Sequence, residues 1–413
     1  MRRVSSFFQV LIVLVGLLGM DFIWVGEAQA IPAWTRKYEQ PCTMCHYPAV
    51  PRLNTLGHKF RQAGFRMPDE FNKDISAENV SHYVAVRGRG RYSYTNFDDE
   101  NKRDTNEFDW NDTTFFYAGP VGTNYAGFAE LEWDAEDEIA LVASISGVWG
   151  GPDHFTTLRV GQFHTLSRVG FAGFDRPTGI STPSIRSADL TTGGARFTLG
   201  ADQRGVELAH VFQMGFLPER SRLIAQVTNG VNEAGSGTEG DIDAQKDFLL
   251  AIEQILDDRA SGFTLIYYSG TYHSDASDLS VENRIGFQRY GGTFAWVLPV
   301  GFEVQGGVIL STDEPKAENT DEINGNAFYV ELEHYFAPWE LTALARFDSV
   351  DPNDDSEAKD DQTSIITVGV VMPLQEWLRL AVEGSATTKE KAISGTGEET
   401  TDNRIVAEAM INF

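Results

Sequence analysis

The sequence predicts a mainly-β fold: a transmembrane antiparallel barrel of about sixteen strands, with a small α-helical segment ahead of it. Three observations predict it. From about residue 81 onward apolar and polar residues alternate with period two, the last such run ends on Phe413, and the connections alternate between short and long.

The alternation is plainest in the last run. Ile405, Ala407, Ala409 and Ile411 share one face, while Arg404, Glu408, Met410 and Asn412 share the other, with Val406 as the exception. This looks like the closing strand of an outer-membrane barrel, where a terminal Phe belongs to the assembly signal. The same pattern recurs upstream. Phe328, Val330, Leu332 and Phe336 alternate with Tyr329, Glu331, Glu333 and Tyr335; Leu341, Ala343, Ala345 and Phe347 with Thr342, Arg346 and Asp348; Ala129, Leu131 and Trp133 with Glu130 and Glu132. Charged residues on the inward face predict a water-filled lumen rather than a dry core. Aromatics near strand ends (Tyr94, Trp110, Trp149, Trp296, Trp339, Trp377) fit interfacial girdles.

Short links at Pro299-Val300-Gly301, Ala337-Pro338 and Pro373-Leu374-Gln375 alternate with longer polar ones at 97–106, 313–325, 351–362 and 390–402. Bacterial barrels keep short turns in the periplasm and long loops outside, so both chain ends are expected to be periplasmic. Segmentation yields seventeen candidate strands where an even number is required. The surplus falls between 150 and 230, where a Gly-, Pro- and Ser-rich stretch (164–192) reads as a loop folded into the pore.

Composition narrows the function classes. The chain has 413 residues, 33 Lys plus Arg against 60 Asp plus Glu, and a formal charge of −27. Such a chain lacks the surplus cations that nucleic acid demands, and its 42% apolar content is too high for disorder. Residues 31–80 carry +2, so the barrel carries about −29, much of it in acidic loop residues such as Asp98-Asp99-Glu100, Asp313-Glu314, Asp354-Asp355, Asp360-Asp361 and Glu398-Glu399. These suit solvated loops and divalent bridging to outer-membrane lipid, or electrostatic enrichment of a cationic substrate.

Residues 1–30 have the parts of a secretory signal peptide: Arg2 and Arg3, an apolar run from Val10 to Gly19, and Ala28-Gln29-Ala30 as the cleavage site. Nothing downstream offers eighteen unbroken apolar residues, so outer-membrane localisation by strands is expected.

Residues 31–80 hold the only two cysteines, in Cys42-Thr43-Met44-Cys45-His46. In a C-x-x-C-H, two thiols three positions apart can each add to one vinyl group of a single haem c. The adjacent His46 then becomes the proximal iron ligand. A thioredoxin-type disulfide would want a βαβ context, and zinc a second ligand pair, neither of which is present. The apolar residues Val50, Leu53, Leu56 and Phe60, continued by Ala63 and Gly64, predict a helix that Gly64 ends and Pro68 keeps from resuming. About fifty residues is near the size at which a chain needs help to fold, and the haem would be that core. For the distal position the candidates are Met67, on the loop past Gly64, and His58. A helical wheel puts His58 with Asn54 and Arg61, on a side expected to face solvent; a water-ligated iron is the third arrangement.

The run Ile31 to His46, followed by Leu53-Asn54-Thr55-Leu56-Gly57, Phe60-Arg61 and Gly64-Phe65-Arg66-Met67, resembles the fused monohaem cytochrome c–porins of the outer membrane. The resemblance covers about forty residues and, beyond them, the architecture and length of the barrel. It implies an outer-membrane cytochrome of the iron(II) oxidoreductase type. Such a protein oxidises extracellular Fe(II) and passes electrons through a haem midway along the lumen to a soluble periplasmic cytochrome or other carrier. Cys42 and Cys45 would be the thioether anchors and His46 the proximal ligand, with Met67 where such sequences have a methionine and His58 where a basic residue is expected. The alternatives are a general extracellular electron conduit with another redox partner, and a solute porin with a haem-bearing plug.

Overall fold

The computed structural model describes residues 33–46, 52–75, 79–98, 102–134, 139–165, 178–187, 190, 200, 202–214, 219–230, 245–273, 284–298, 301–314, 322–353, 362–375, 377–390 and 399–413. The expected signal peptide and most of the acidic loops lie outside them.

The barrel strands are β1 (Val84–Asn96), β2 (Thr105–Val121), β3 (Tyr125–Asp134), β4 (Ile139–Gly150), β5 (Phe155–His164), β6 (Asp202–Gln213), β7 (Arg220–Thr228) and β8 (Asp247–Ile255). They continue with β9 (Gly262–His273), β10 (Arg284–Val297), β11 (Phe302–Asp313), β12 (Ile323–Phe336), β13 (Leu341–Asp351), β14 (Thr363–Gln375), β15 (Leu378–Glu390) and β16 (Glu399–Asn412). Each pairs antiparallel with its sequence neighbours, and β16 pairs with β1 to close the sheet. Closure removes the edge that a bilayer cannot satisfy. Its seam is finished by reciprocal backbone bonds between Phe413 and Val86, at 2.8 and 3.0 Å.

Burial follows the alternation. On β12, Phe328, Val330 and Leu332 are exposed while Tyr329, Glu331 and Glu333 are buried. On β13 Phe347 is exposed and Thr342, Arg346 and Asp348 are buried. Val406, the exception in the last strand, does face inward beside Glu408 and Met410. Trp110, Trp149, Trp296 and Trp339 are exposed near strand ends as expected, whereas Tyr94 and Trp377 are only half-exposed. Connections alternate as expected. The link of Pro373-Leu374-Gln375 belongs to β14 itself, with a bulge between Pro373 and Gln375, and the turn comes just after it. Asp313 is no loop residue either: it ends β11, buried, 2.5 Å from Arg289.

Among the described residues there is no seventeenth strand. β5 stops at His164, β6 begins at Asp202, and the described part of the connection between them, residues 178–187, is not strand. It reaches across to β13 and β15, on the opposite side of the ring. There the Ser181 and Ser184 amides donate to Glu383 (2.9 Å) and Asp348 (2.7 Å), and Arg346 donates to the Ser181 carbonyl at 2.8 Å. The short helix Ser184–Ser187 (α3) buries Ile185 fully among Ile309, Ala327 and Tyr329. Residues 178–187 of the expected loop are thus folded into the pore, and they bond to wall side chains instead of a ladder; the rest of 164–192 lies mostly outside the described residues.

The lumen is also more filled than the inward charges predicted. Glu331, Arg346, Asp348 and Arg289 are buried and paired: Arg346 lies 3.1 Å from Glu331 and 2.7 Å from Asp348. In a space packed by the inserted chain, charges persist only as paired networks.

Lipid-facing Val330 sits midway along β12 and Asn324 near its loop end. Val330→Arg is expected to destabilise the folded barrel by about 2–4 kcal/mol and Asn324→Arg by about 1 kcal/mol or less, measured by urea unfolding in lipid vesicles.

Candidate functional site: a lumenal cavity beside the Cys-x-x-Cys-His segment

The N-terminal segment contains helix α1 (Ala33–Tyr38), a 3-10 turn at Cys42–Met44, helix α2 (Thr55–Gln62) and further 3-10 turns at Pro68–Glu70 and Val80–His82. Helix α2 starts later than the apolar spacing predicted. Its N-cap is Asn54, whose side chain accepts from the Gly57 amide at 3.0 Å, one of the orphan donors that a helix start leaves. Val50 lies outside the described residues. Gly64 ends the helix as predicted, in the left-handed region (φ 67°), and the Phe65 amide returns to the Phe60 carbonyl at 2.8 Å.

This segment plugs the barrel at the end that carries the short turns. Arg52 pairs with Glu303 at the start of β11, and Thr55 donates to the Asp257 carbonyl in the β8–β9 turn. Gln62 donates to Glu253 (2.6 Å) and accepts from Arg220 (2.5 Å), and Lys59 meets Glu219 at 2.8 Å. Arg66, fully buried, donates to the Gly122 and Tyr125 carbonyls at 3.0 and 2.7 Å. These anchors lie in turns or within a few residues of strand ends. The segment is thus anchored at the rim, where the wall presents turn carbonyls and paired charges.

Between plug and wall lies a cavity of about 310 Å³. Cys42, Cys45, His46 and Met67 all line it, so the structure gathers four of the five candidate residues in one space. Its apolar part is aromatic: Trp34 packs edge-on against Phe60 (5.0 Å between centroids) and stacks on Phe65 (5.5 Å), which stacks on Phe128 of β3 (6.1 Å). Glu70 holds the floor rigid, accepting from Lys37 (2.7 Å), Tyr38 (2.7 Å) and the Met67 amide (2.9 Å).

The His46 ring is oriented. Nδ1 lies 3.0 Å from the Arg52 carbonyl, which can only accept, so Nδ1 carries the proton and Nε2 is left with the lone pair. Metal-ligating histidines are commonly held this way. The Cys45 carbonyl accepts from the Asn54 amide at 2.9 Å, and a Cβ at Gly57 would collide with that same carbonyl oxygen. Only glycine allows α2 to approach the pentapeptide so closely. Burial, reinforced by Cys42, pushes the Cys45 thiol up to about 11. That is the reverse of an activated redox cysteine, and it weakens the thioredoxin alternative. Among the described residues there is no cluster of three or more His, Cys, Asp or Glu arranged to hold a metal ion.

His58 is not on a solvent face. It is buried against the wall, does not line the cavity, and its Nδ1 has no hydrogen-bond partner among the described residues. The wheel placed it away from the apolar stripe correctly, but that side meets the barrel. Sequence reasoning also missed the wall's contribution: Arg159 (β5), Glu207 (β6) and Arg222 (β7) line the cavity. Their inward register was the available signal, hidden in the stretch that resisted segmentation.

No family model matches the chain, and no curated protein is similar to it in sequence. Solved structures share its fold. The outer membrane channel DcaP of Acinetobacter baumannii superposes with a TM-score of 0.52 at 11% identity, covering 83% of this chain and 100% of that one. The trimer form of OmpT, an outer membrane protein of Vibrio cholerae, gives 0.51 at 13% identity, covering 80% and 99%. The closed sixteen-stranded barrel of this chain resembles the fold of these outer-membrane proteins.

Burial, then the charge of Arg61, depresses His58 to about 3 from its ordinary 6.5. The docked plug refuses a proton that an undocked one accepts. This contribution to docking is fully present above pH 6.5 and is lost as pH falls from 6.5 towards 3. Protease protection of residues 33–75 is therefore expected to fall more steeply with acidification in the natural protein than in His58→Gln. If Met67 ligates an iron, Met67→Ala is expected to abolish the near-infrared methionine–iron band, and a band that persists excludes Met67.

Proposed function

We propose that the chain is an outer-membrane electron-transfer barrel with one haem c, anchored by Cys42 and Cys45 and ligated by His46, in the lumenal cavity. We further propose that extracellular Fe(II) is the donor and a soluble periplasmic carrier the acceptor. The single observation that carries this reading is the oriented His46 imidazole in the same apolar cavity as both cysteines. The donor set fits the cofactor: thiols at thioether spacing, a histidine with its lone pair on Nε2, and aromatic walls for a flat macrocycle. Met67 supplies a thioether for the distal position. When bound, the haem supplies one centre that accepts and releases a single electron.

The chain's own residues account for the rest. Trp34, Phe60 and Phe65 exclude water, Glu70 fixes the loop that presents Met67, and the wall encloses the cavity. A hydrocarbon core is about 30 Å thick, too wide for an exchange centre lying outside it. Seating the centre inside the cylinder shortens each step. With short turns periplasmic, the plug sits nearest the soluble carrier. Fe(II) as the donor rests on the resemblance of residues 31–67 and on the negative charge of the barrel.

A second reading is favoured by the fold shared with an outer membrane channel: a solute channel whose N-terminal segment acts as a plug. Anaerobic addition of Fe(II) to the purified protein, followed at the haem α-band, separates them. The electron-transfer reading expects the reduced band to appear. An oxidised spectrum that yields only to dithionite contradicts it, and substantial conductance in planar bilayers supports the channel.

A further inference from the structure

The cavity has a polar side that the thioether and iron ligands leave unexplained. Four charged side chains line it: Arg61 from the plug, and Arg159, Glu207 and Arg222 from three consecutive strands of the wall. Register sets Arg159 directly opposite Glu207. Both wall arginines reach that one carboxylate, Arg159 to Oε2 and Arg222 to Oε1, at 3.0 Å each, and Gln226 also donates to it at 2.6 Å. Glu207 is thus saturated, while the buried Arg159 Nε has no hydrogen-bond partner among the described residues. The two wall guanidinium groups share one carboxylate, which leaves the wall cluster net positive beside the apolar cavity. Uncompensated charge inside a protein is costly. A ligand with an apolar body and carboxylates at one edge would meet both halves of this cavity.

A porphyrin with two propionates has that chemistry. We propose that Arg159 and Arg222 bind the propionates of the haem tethered at Cys42 and Cys45, so that the barrel wall completes a site the plug begins. Planar guanidinium groups suit this, because they pair with carboxylates in bidentate fashion. The barrel then tunes the haem as well as insulating it. Positive charge beside the macrocycle favours the reduced state, and Glu207 moderates it. This inference rests on the haem reading above.

The test is spectroelectrochemical titration of the full-length holoprotein in detergent, with resonance Raman spectroscopy of the propionate bending mode. Arg159→Gln and Arg222→Gln are expected to lower the midpoint potential and shift the propionate band. They are also expected to make the potential pH-dependent near neutrality, because an unpaired propionate takes up a proton more readily. Glu207→Gln is expected to raise the potential. Arg159→Lys and Arg222→Lys, which preserve charge and serve if the Gln variants do not assemble, are expected to shift the propionate band while leaving the potential near its natural value. A natural protein without a Soret band defeats the haem reading itself. A haem-bearing natural protein whose Gln or Lys variants all keep its propionate band defeats the arginine assignment alone.

Discussion

Everything in this molecule depends on the way the inward face of a closed barrel is neutralised. A sixteen-stranded cylinder with polar alternate residues must either hold water or pair its charges with inserted chain. This chain uses inserted chain at two levels. The 178–187 segment bonds to Arg346, Asp348 and Glu383 on one side of the lumen, and the N-terminal plug bonds to Glu303, Glu253 and Arg220 nearer the short turns. The cavity is what remains between plug and wall.

That division of labour separates affinity from chemistry. The plug's anchors are ionic or carbonyl contacts at the rim, whereas its cavity side is aromatic and carries the pentapeptide. A segment of about fifty residues has little core of its own. Here Phe60, Phe65, Ala118 and Ala126 form one cluster, and Ala63, Val148, Phe155 and Val211 another, so the barrel supplies two residues of the first and three of the second. Plug and barrel share one core.

Much of this was legible in the sequence. Period-two alternation revealed which residues of β3, β12, β13 and β16 face lipid, because lipid and lumen demand opposite polarity. Gly64 and Pro68 marked the end of α2 for steric reasons that no context overrides. The illegible parts all involve partners distant in sequence. His58 read as a surface residue because no local pattern reveals that Glu253 and Arg220 lie against that side of α2. Strand counting failed between 150 and 230 because an inserted segment obeys no period. The role of the wall in the cavity was hidden for the same reason, as Arg159, Glu207 and Arg222 share the cavity with Cys45 only once the plug is seated in the barrel.

The central claim is that one porphyrin is covalently held within a folded, membrane-borne cylinder. Haem content per chain, determined by pyridine haemochrome on the detergent-extracted, heat-modifiable barrel after acid–acetone extraction, tests it most directly. The account requires one haem for each polypeptide, retained through extraction and lost when Cys42 and Cys45 are both replaced by Ala. A folded barrel that carries no acid-stable haem would contradict it.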